Sequence, residues 1–324
     1  MPELPEVQTT VNGIKEVAVG KKITAVWTDY NSPFHSQKDN IKNPVFFKKF
    51  KNSVAGTKII HAERRAKNVL IHLSNGQTIL IHMKMTGHVM CGRYMFDKKK
   101  KKDPWTPIDT TGPLSDPFNK FIHFTLTLDS YDIKTKNSPR QHPVQLVLSD
   151  MRKFAKVTLI PTDKLSQSPD LAHLGPEPLD KAFTFDVYKE RISKKSKGKI
   201  KTVLMDQTLI AGIGNIYSDE VLWRAGVNPE ERVIHLSDKT LRTMFEAIKT
   251  TLRKGIDFGG DSMSDYRNIH GERGQFQAHH EAYRRTHKPC RKRGCGGMIT
   301  RKIVGGRSAH FCTVHQRLHS QHAK

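Results

Sequence analysis

The chain has 324 residues, with 55 Lys and Arg against 31 Asp and Glu, a formal charge of +24 and 36% hydrophobic residues. That length and apolar content supply cores for two or three domains, and no apolar run reaches the roughly 18 residues of a membrane span or forms a signal-peptide core. Such a cationic excess is tolerated most easily beside a polyanion; nucleic acid is the expected partner, and an anionic membrane is set aside because no amphipathic anchor or lipidation signal is present.

Met1-Pro2-Glu3-Leu4-Pro5-Glu6 opens the chain. Early proline and first-turn glutamate suit a helix start, and Val7, Val11, Ile14 and Val17 recur at helical intervals before a stop at Gly20. The same residues carry latent chemistry. A small residue after Met1 generally permits its excision, and trimmed Pro2 is then a secondary amine with an unperturbed pKa of about 7.7 to 8.0. Such an amine can attack a sugar carbon and form an iminium while Glu3 or Glu6 moves protons beside it. With Met1 in place, the Pro2 nitrogen is a tertiary amide and is not nucleophilic.

From about residue 22 the pattern turns to short strands. Residues 68–73 and 78–83 flank Asn75-Gly76, a strong hairpin signal, and this half reads as an antiparallel β sandwich. Between residues 97 and 120 come Lys98 to Lys102 and then Pro104, Pro107, Gly112, Pro113 and Pro117, which predict a mobile basic loop. Strands resume at 121–128, 144–148 and 156–160. A Pro-, Ser- and Asp-rich linker follows at 161–183.

Helical periodicity then takes over, at 185–193, 200–205, 218–225 and 237–254, the last opened by Ser237 and closed by Gly255. Gly212-Ile213-Gly214-Asn215 lies between helical stretches, and its glycines allow main-chain amides to approach a phosphate. A dinucleotide fold is excluded because Tyr217 stands at the third glycine position and no strand precedes the loop. Of four cysteines, Cys290, Cys295 and Cys312 cluster near the end, and with His315 they have spacings that close a tetrahedral zinc site. His310 and His319 are competing nitrogens. Residues 286–318 are too few for a core of their own, so a metal would have to hold them. The pairs Gly296-Gly297 and Gly305-Gly306 suggest a zinc-ribbon hairpin, with Arg307 near its turn where a guanidinium can enter a minor groove or grip a phosphate.

PELPEV, His82-Met83-Lys84-Met85-Thr86-Gly87, Asp150-Met151-Arg152-Lys153-Phe154, the 212–217 loop and the terminal Cys/His module occur in the order seen in formamidopyrimidine-DNA glycosylases. The chain resembles that family over nearly its whole length. The resemblance implies a multidomain α+β fold: an antiparallel β-sandwich domain with flanking helices at 1–162, a linker at 163–184, a helical helix-two-turn-helix domain at 185–282, and a zinc-finger β hairpin with a short tail at 283–324. Residues 259–280 resemble the family's lesion-capping loop, which is usually shorter in the endonuclease VIII branch. Oxidised purines, 8-oxoguanine and formamidopyrimidines, are therefore the implied targets of a bifunctional DNA glycosylase and AP lyase in base excision repair.

Residue by residue, the resemblance implies Pro2 as Schiff-base nucleophile, Glu3 as principal proton donor, Glu6 in support and Lys67 near the lesion and its phosphate. Met85, Arg152 and Phe154 resemble the residues that fill the gap left by an everted base, and His82 belongs to the same DNA-binding motif. Lys201 and Asn215 resemble phosphate ligands, and Arg307 falls where the zinc-finger arginine meets the backbone. One structural Zn2+ on Cys290, Cys295, Cys312 and His315, a double-stranded damaged DNA partner, no small-molecule cofactor, a monomeric state and a cytoplasmic location, nucleoid-associated in a bacterium, complete the expectation. Three features depart from the pattern: four residues rather than two between Cys290 and Cys295, His315 in place of a fourth cysteine, and the long 98–117 insertion. An endonuclease VIII-like enzyme acting on oxidised pyrimidines, or a noncatalytic zinc-finger damaged-DNA-binding protein, are the alternatives.

Overall fold

Short strands with apolar residues facing a common interior build two antiparallel sheets in the computed structural model, which describes residues 1–100, 102–129, 143–263 and 265–318. The chain runs α1 (Leu4–Val17), β1 (Ile23–Thr28), α2 (Pro44–Val54), β2 (Ile59–Arg65), β3 (Asn68–Leu73), β4 (Gln77–His82) and β5 (His88–Gly92). It continues through β6 (Tyr94–Phe96), β7 (Trp105–Pro107), β8 (Ile122–Leu128), β9 (Val144–Ser149) and β10 (Lys156–Pro161). One sheet has the order β1-β8-β9-β5 and the other β10-β4-β3-β2. Val26, Phe124 and Leu148 of the first sheet share a buried cluster with Ile71, Ile79 and Val157 of the second, which makes the pair a sandwich. Helix α1 packs on β2, β3 and β5 and buries Val7, Val11 and Ile14.

Two expectations for this half need correction. Helix α2 falls where only strands were foreseen; Asn43 caps it by accepting from Val45 N at 2.9 Å, and Pro44 occupies its first turn. Nor is 98–117 an irregular mobile loop over its described residues. Strand β7 pairs with β6, and Trp105 is buried among Met90, Tyr94, Ile122 and Val147, with Phe96 4.9 Å and Trp27 5.8 Å from its ring centroid. One large aromatic anchors a proline-rich segment that sequence pattern alone reads as unstructured. Lys101, within the lysine run, lies outside the described residues.

A second compact unit comprises residues 173–258 and 275–324, while 259–274 group with residues 1–172. Its elements are α3 (Phe185–Ser193), α4 (Ile200–Leu204), α5 (Asn215–Ala225), α6 (Asp238–Asp257), β11 (Ile299–Val304) and β12 (Arg307–Cys312). Helix α5 packs against α4, α6 and β12, and is buried along most of its length. Ser237 caps α6 by accepting from Thr240 N at 3.2 Å, as its sequence predicts. Gly255 does not end that helix: it is buried inside it, and the chain turns out only at Gly259 and Gly260, both at positive φ. The capping-loop reading of 259–280 thus spans the two units, with its first part tied to the sandwich.

Candidate functional site

The head of α1 is a buried polar corner. Pro2 is buried, and Glu3 and Glu6 are 2% and 1% exposed. Glu6 Oε2 accepts from Glu3 N at 2.8 Å, and Glu6 Oε1 accepts from Asp261 N at 2.7 Å. The carbonyl of Glu6 accepts from the Tyr266 hydroxyl at 3.0 Å and from Thr10 Oγ1 at 2.9 Å. Both carboxylate oxygens of Glu6 are therefore engaged by main-chain donors that orient the first turn, while Glu3 lies next to Pro2.

Lys67 is buried in the two-residue turn between β2 and β3. Arg64 secures that turn by donating to Ala66 O and to Gln8 of α1, each at 3.0 Å. Near it, burial and then the Lys84 and Lys67 ammoniums push the His82 imidazole down to about 3. His82 is thus neutral, and its Nδ1 accepts from Lys84 N at 3.0 Å, which leaves Nε2 as the protonated nitrogen.

Met85 and Phe154 stand out at 42% and 49% exposed, although both are large and apolar. Arg152 lies over the Phe154 ring at 4.5 Å. Their two turns are joined at Asp150: its Oδ1 accepts from the Thr86 hydroxyl, and its Oδ2 accepts from Ala155 N at 2.7 Å and Tyr30 OH at 3.1 Å. Arg152 N in turn donates to Thr86 Oγ1 at 3.2 Å. Lys84 and Lys153, flanking the presented side chains, both take positive φ, a strained backbone that these bonds hold. The sequence motifs contain Thr86 and Asp150, but nothing in the linear pattern marks them as a pair.

In the helical unit Lys201 is 0% exposed, and its three ammonium protons meet Asn215 O at 3.0 Å, Ser218 Oγ at 2.9 Å and Asp219 Oδ1 at 2.6 Å. It sits behind the head of α5, with all three protons committed to these acceptors. Asn215, at that head, has a buried Oδ1 without a partner among the described residues. Asp219 Oδ2 accepts from both N and Nδ1 of His310, at 3.0 and 2.9 Å, tying α5 to β12. Glu220 accepts from Glu281, Ala282 and Tyr283 main-chain nitrogens at 2.8 to 3.0 Å. Neither acid stands out in the sequence; two adjacent carboxylates between Ile216-Tyr217 and Val221-Leu222-Trp223 are the available signal.

Cys290, Cys295, Cys312 and His315 bring their ligand atoms within 4.8 Å of one another. Cys290 Sγ to His315 Nδ1 is 3.3 Å and Cys295 Sγ to Cys312 Sγ is 3.6 Å, close to the edges of about 3.5 to 3.8 Å that follow for a tetrahedron with Zn–S near 2.3 Å and Zn–N near 2.0 Å. His315 Nε2 sits 3.0 Å from Trp223 O, which fixes its proton there and leaves the Nδ1 lone pair for a metal. His310 is excluded from the ligand set by its bonds to Asp219, and His319 lies outside the described residues. Arg307 is exposed at the start of β12, behind a Gly305-Gly306 turn whose residues both have positive φ. A Cβ on Gly305 would lie 2.2 Å from Thr202 Cγ2, so the hairpin tip rests directly on α4, beside Lys201.

Two family models match the chain: the formamidopyrimidine-DNA glycosylase N-terminal domain over residues 1–157 and the formamidopyrimidine-DNA glycosylase H2TH domain over residues 174–267. The formamidopyrimidine-DNA glycosylase of Pelotomaculum thermopropionicum is 33% identical over 98% of this chain and 100% of its own length. That of Bacillus subtilis is 35% identical over 96% of this chain and 98% of its own. Among solved structures, the complex of the Lactococcus lactis Fpg with DNA containing an abasic site has a TM-score of 0.77 at 28% identity, covering 97% of this chain and 99% of that one. With homologues aligned from end to end and both domain models satisfied, the chain belongs to the formamidopyrimidine-DNA glycosylase family.

Proposed function

We propose that this protein is a DNA glycosylase and AP lyase that removes oxidised purines from duplex DNA. The carrying observation is the buried corner at the head of α1, where Pro2 and Glu3 lie beside a Glu6 fixed by main-chain donors. After removal of Met1, the Pro2 amine attacks the sugar C1′ as the damaged base leaves, and the C1′–O4′ bond then opens as Glu3 supplies a proton to O4′, leaving an iminium between Pro2 nitrogen and C1′. That iminium acidifies the neighbouring sugar protons, so β- and then δ-elimination break the strand on both sides of the lesion. Glu6, with both oxygens occupied, orients this corner. Lys67 lies near the lesion phosphate, and neutral His82 donates from Nε2 to the DNA.

Met85, Arg152 and Phe154 fill the space left by the everted base, Arg152 with its planar donor fork and the other two as apolar wedges. Asn215 and the head of α5 receive a backbone phosphate, with Lys201 holding that head from behind through Asn215 O, Ser218 and Asp219, and Arg307 grips the backbone from the hairpin. Cys290, Cys295, Cys312 and His315 hold a structural zinc ion, which stiffens the hairpin and takes no part in the chemistry. We assign catalytic, helix-two-turn-helix and zinc-finger roles to residues 1–162, 185–282 and 283–324, except that 259–274 group with the sandwich.

Borohydride reduction in the presence of an 8-oxoguanine duplex tests the reading. Correctly trimmed protein is expected to give a covalent adduct, and Pro2→Gly or a form retaining Met1 much less of it. Absence of an adduct from trimmed protein would leave the noncatalytic alternative, and faster excision of thymine glycol than of 8-oxoguanine would favour the pyrimidine-directed one.

A further inference from the structure

The 98–117 insertion carries Asp116 one residue before its end, and the Asp116 carboxylate meets a nearly inaccessible guanidinium. Arg267, 2% exposed, donates from Nε and Nη2 to Asp116 Oδ2 at 3.1 and 3.0 Å. The guanidinium also lies 5.0 Å from the Phe118 ring centroid, and its Nη1 donates to Tyr266 O at 2.9 Å. Two residues after the insertion, Asn119 Nδ2 donates to Gly271 O at 3.1 Å while its Oδ1 meets His88 Nε2 at 2.9 Å. The insertion, through Asp116, and Asn119 just beyond it therefore grip the 259–274 segment at two points. That segment reaches the catalytic corner through the Tyr266 hydroxyl on Glu6 O and through Asp261 N on Glu6 Oε1. All of these residues belong to the same compact unit.

We infer that Asp116 and Arg267 are positioning residues: the insertion clamps the 259–274 segment so that Tyr266 and Asp261 hold Glu6, and with it the Pro2–Glu3 turn, in its working orientation. The chain of contacts is short, from the Asp116 carboxylate through Arg267 and Tyr266 to the Glu6 carbonyl. A bidentate fork fixes direction as well as distance, which a surface ion pair does not. Among its described residues the segment forms no regular strand or helix, and apart from these contacts it is anchored at Ile269, which packs against Gly13 and accepts from Cys91 N at 2.7 Å. This role rests on the glycosylase reading above.

The test uses full-length, metal-loaded protein with Met1 removed. Asp116→Asn keeps the acceptor for Phe118 N and loses the charge, whereas Arg267→Lys keeps the charge and loses the fork. Each is expected to slow single-turnover excision of 8-oxoguanine by about tenfold, with duplex affinity, measured in the Pro2→Gly background, unchanged within about twofold. The double variant is expected to be no slower than either single one. Hydrogen exchange supplies a readout independent of activity: the amides of Asp261 and Gly274, both bonded within this network, are expected to exchange roughly tenfold faster in each variant. Unchanged excision or unchanged exchange in folded variants overturns the clamp, as does a loss of excision matched by an equal loss of affinity. Were the parent protein to form no borohydride adduct, the glycosylase reading would fall, and the exchange arm would still decide whether the clamp exists.

Discussion

The Thr86 hydroxyl donates to the buried Asp150 carboxylate, joining two turns that are 64 positions apart in sequence. Everything that Met85, Arg152 and Phe154 present to solvent is held from behind by that bond and by the two further donors on Asp150. Thr86→Val keeps the shape and removes one donor from a buried carboxylate. It is expected to lower stability by about 1–3 kcal/mol, read as a shift in the urea midpoint, and to weaken discrimination between damaged and undamaged duplex.

Lys201 is committed to Asp219, so its removal leaves a buried carboxylate without its cation. Lys201→Met is expected to destabilise the protein by about 3–5 kcal/mol in thermal unfolding. At temperatures where the variant stays folded, binding to damaged and undamaged DNA is expected to weaken alike because the head of α5 loses its support, with the slope of log K against log salt nearly unchanged, since the buried ammonium is paired with Asp219 and meets no phosphate itself. A change confined to lesion discrimination would contradict the placement of Lys201 behind a phosphate site.

Metal removal has a built-in reporter. Trp223 Nε1 lies 3.3 Å from Cys290 Sγ and the Trp223 carbonyl lies 3.0 Å from His315 Nε2, so loss of the ion from this cluster is expected to change tryptophan emission. Elemental analysis is expected to give one zinc per chain, and Cys312→Ser none. Chelation is expected to weaken duplex binding at concentrations that leave borohydride trapping at saturating DNA intact; equal loss of both would place the ion in the chemistry.

Burial pushes His88 down to about 4. Its neutral form is favoured by folding, so stability is fully present above the unfolded value near 6.5 and is lost as pH falls toward 4, where the unfolded chain has bound a proton that the native one has not. A slope of roughly 1.4 kcal/mol per pH unit from this one residue is expected in that window. Unfolding free energies for the parent and His88→Gln, taken at pH 7, 6 and 5, are expected to differ in slope by about one proton; identical slopes would remove His88 from the account.

Much of this architecture is legible in the sequence because local signals and tertiary context agree. Val7, Val11 and Ile14 mark the buried stripe of α1, Asn75-Gly76 marks the β3–β4 hairpin, and Ser237 marks the cap of α6. Helix α2 escaped because its apolar Phe46, Phe47 and Phe50 sit among lysines in a region otherwise patterned for strands, although Asn43-Pro44 signals a helix start. The insertion escaped because prolines dominate its pattern and the partners of Trp105 are distant in sequence. Candidates for chemistry at the head of α1, or for metal ligation in a short stretch, announce themselves. Those that hold them in place, Asp150, Asp219, Glu220 and Arg267, meet partners 62 to 151 positions away and are visible only once the chain is folded.

The contacts of Tyr266 and Asp261 with Glu6, and of Ile269 with Gly13, where an added Cβ would lie 2.3 Å from Ile269 Cγ2, span some 255 positions of sequence. A ribosome that has delivered the β sandwich has therefore not yet delivered a finished catalyst. The head of α1 waits, during synthesis, for a segment made some 255 residues later. A product truncated before that segment would carry Pro2 and Glu3 but not the residues that hold Glu6, so incomplete chains are born with the proposed amine site only partly assembled.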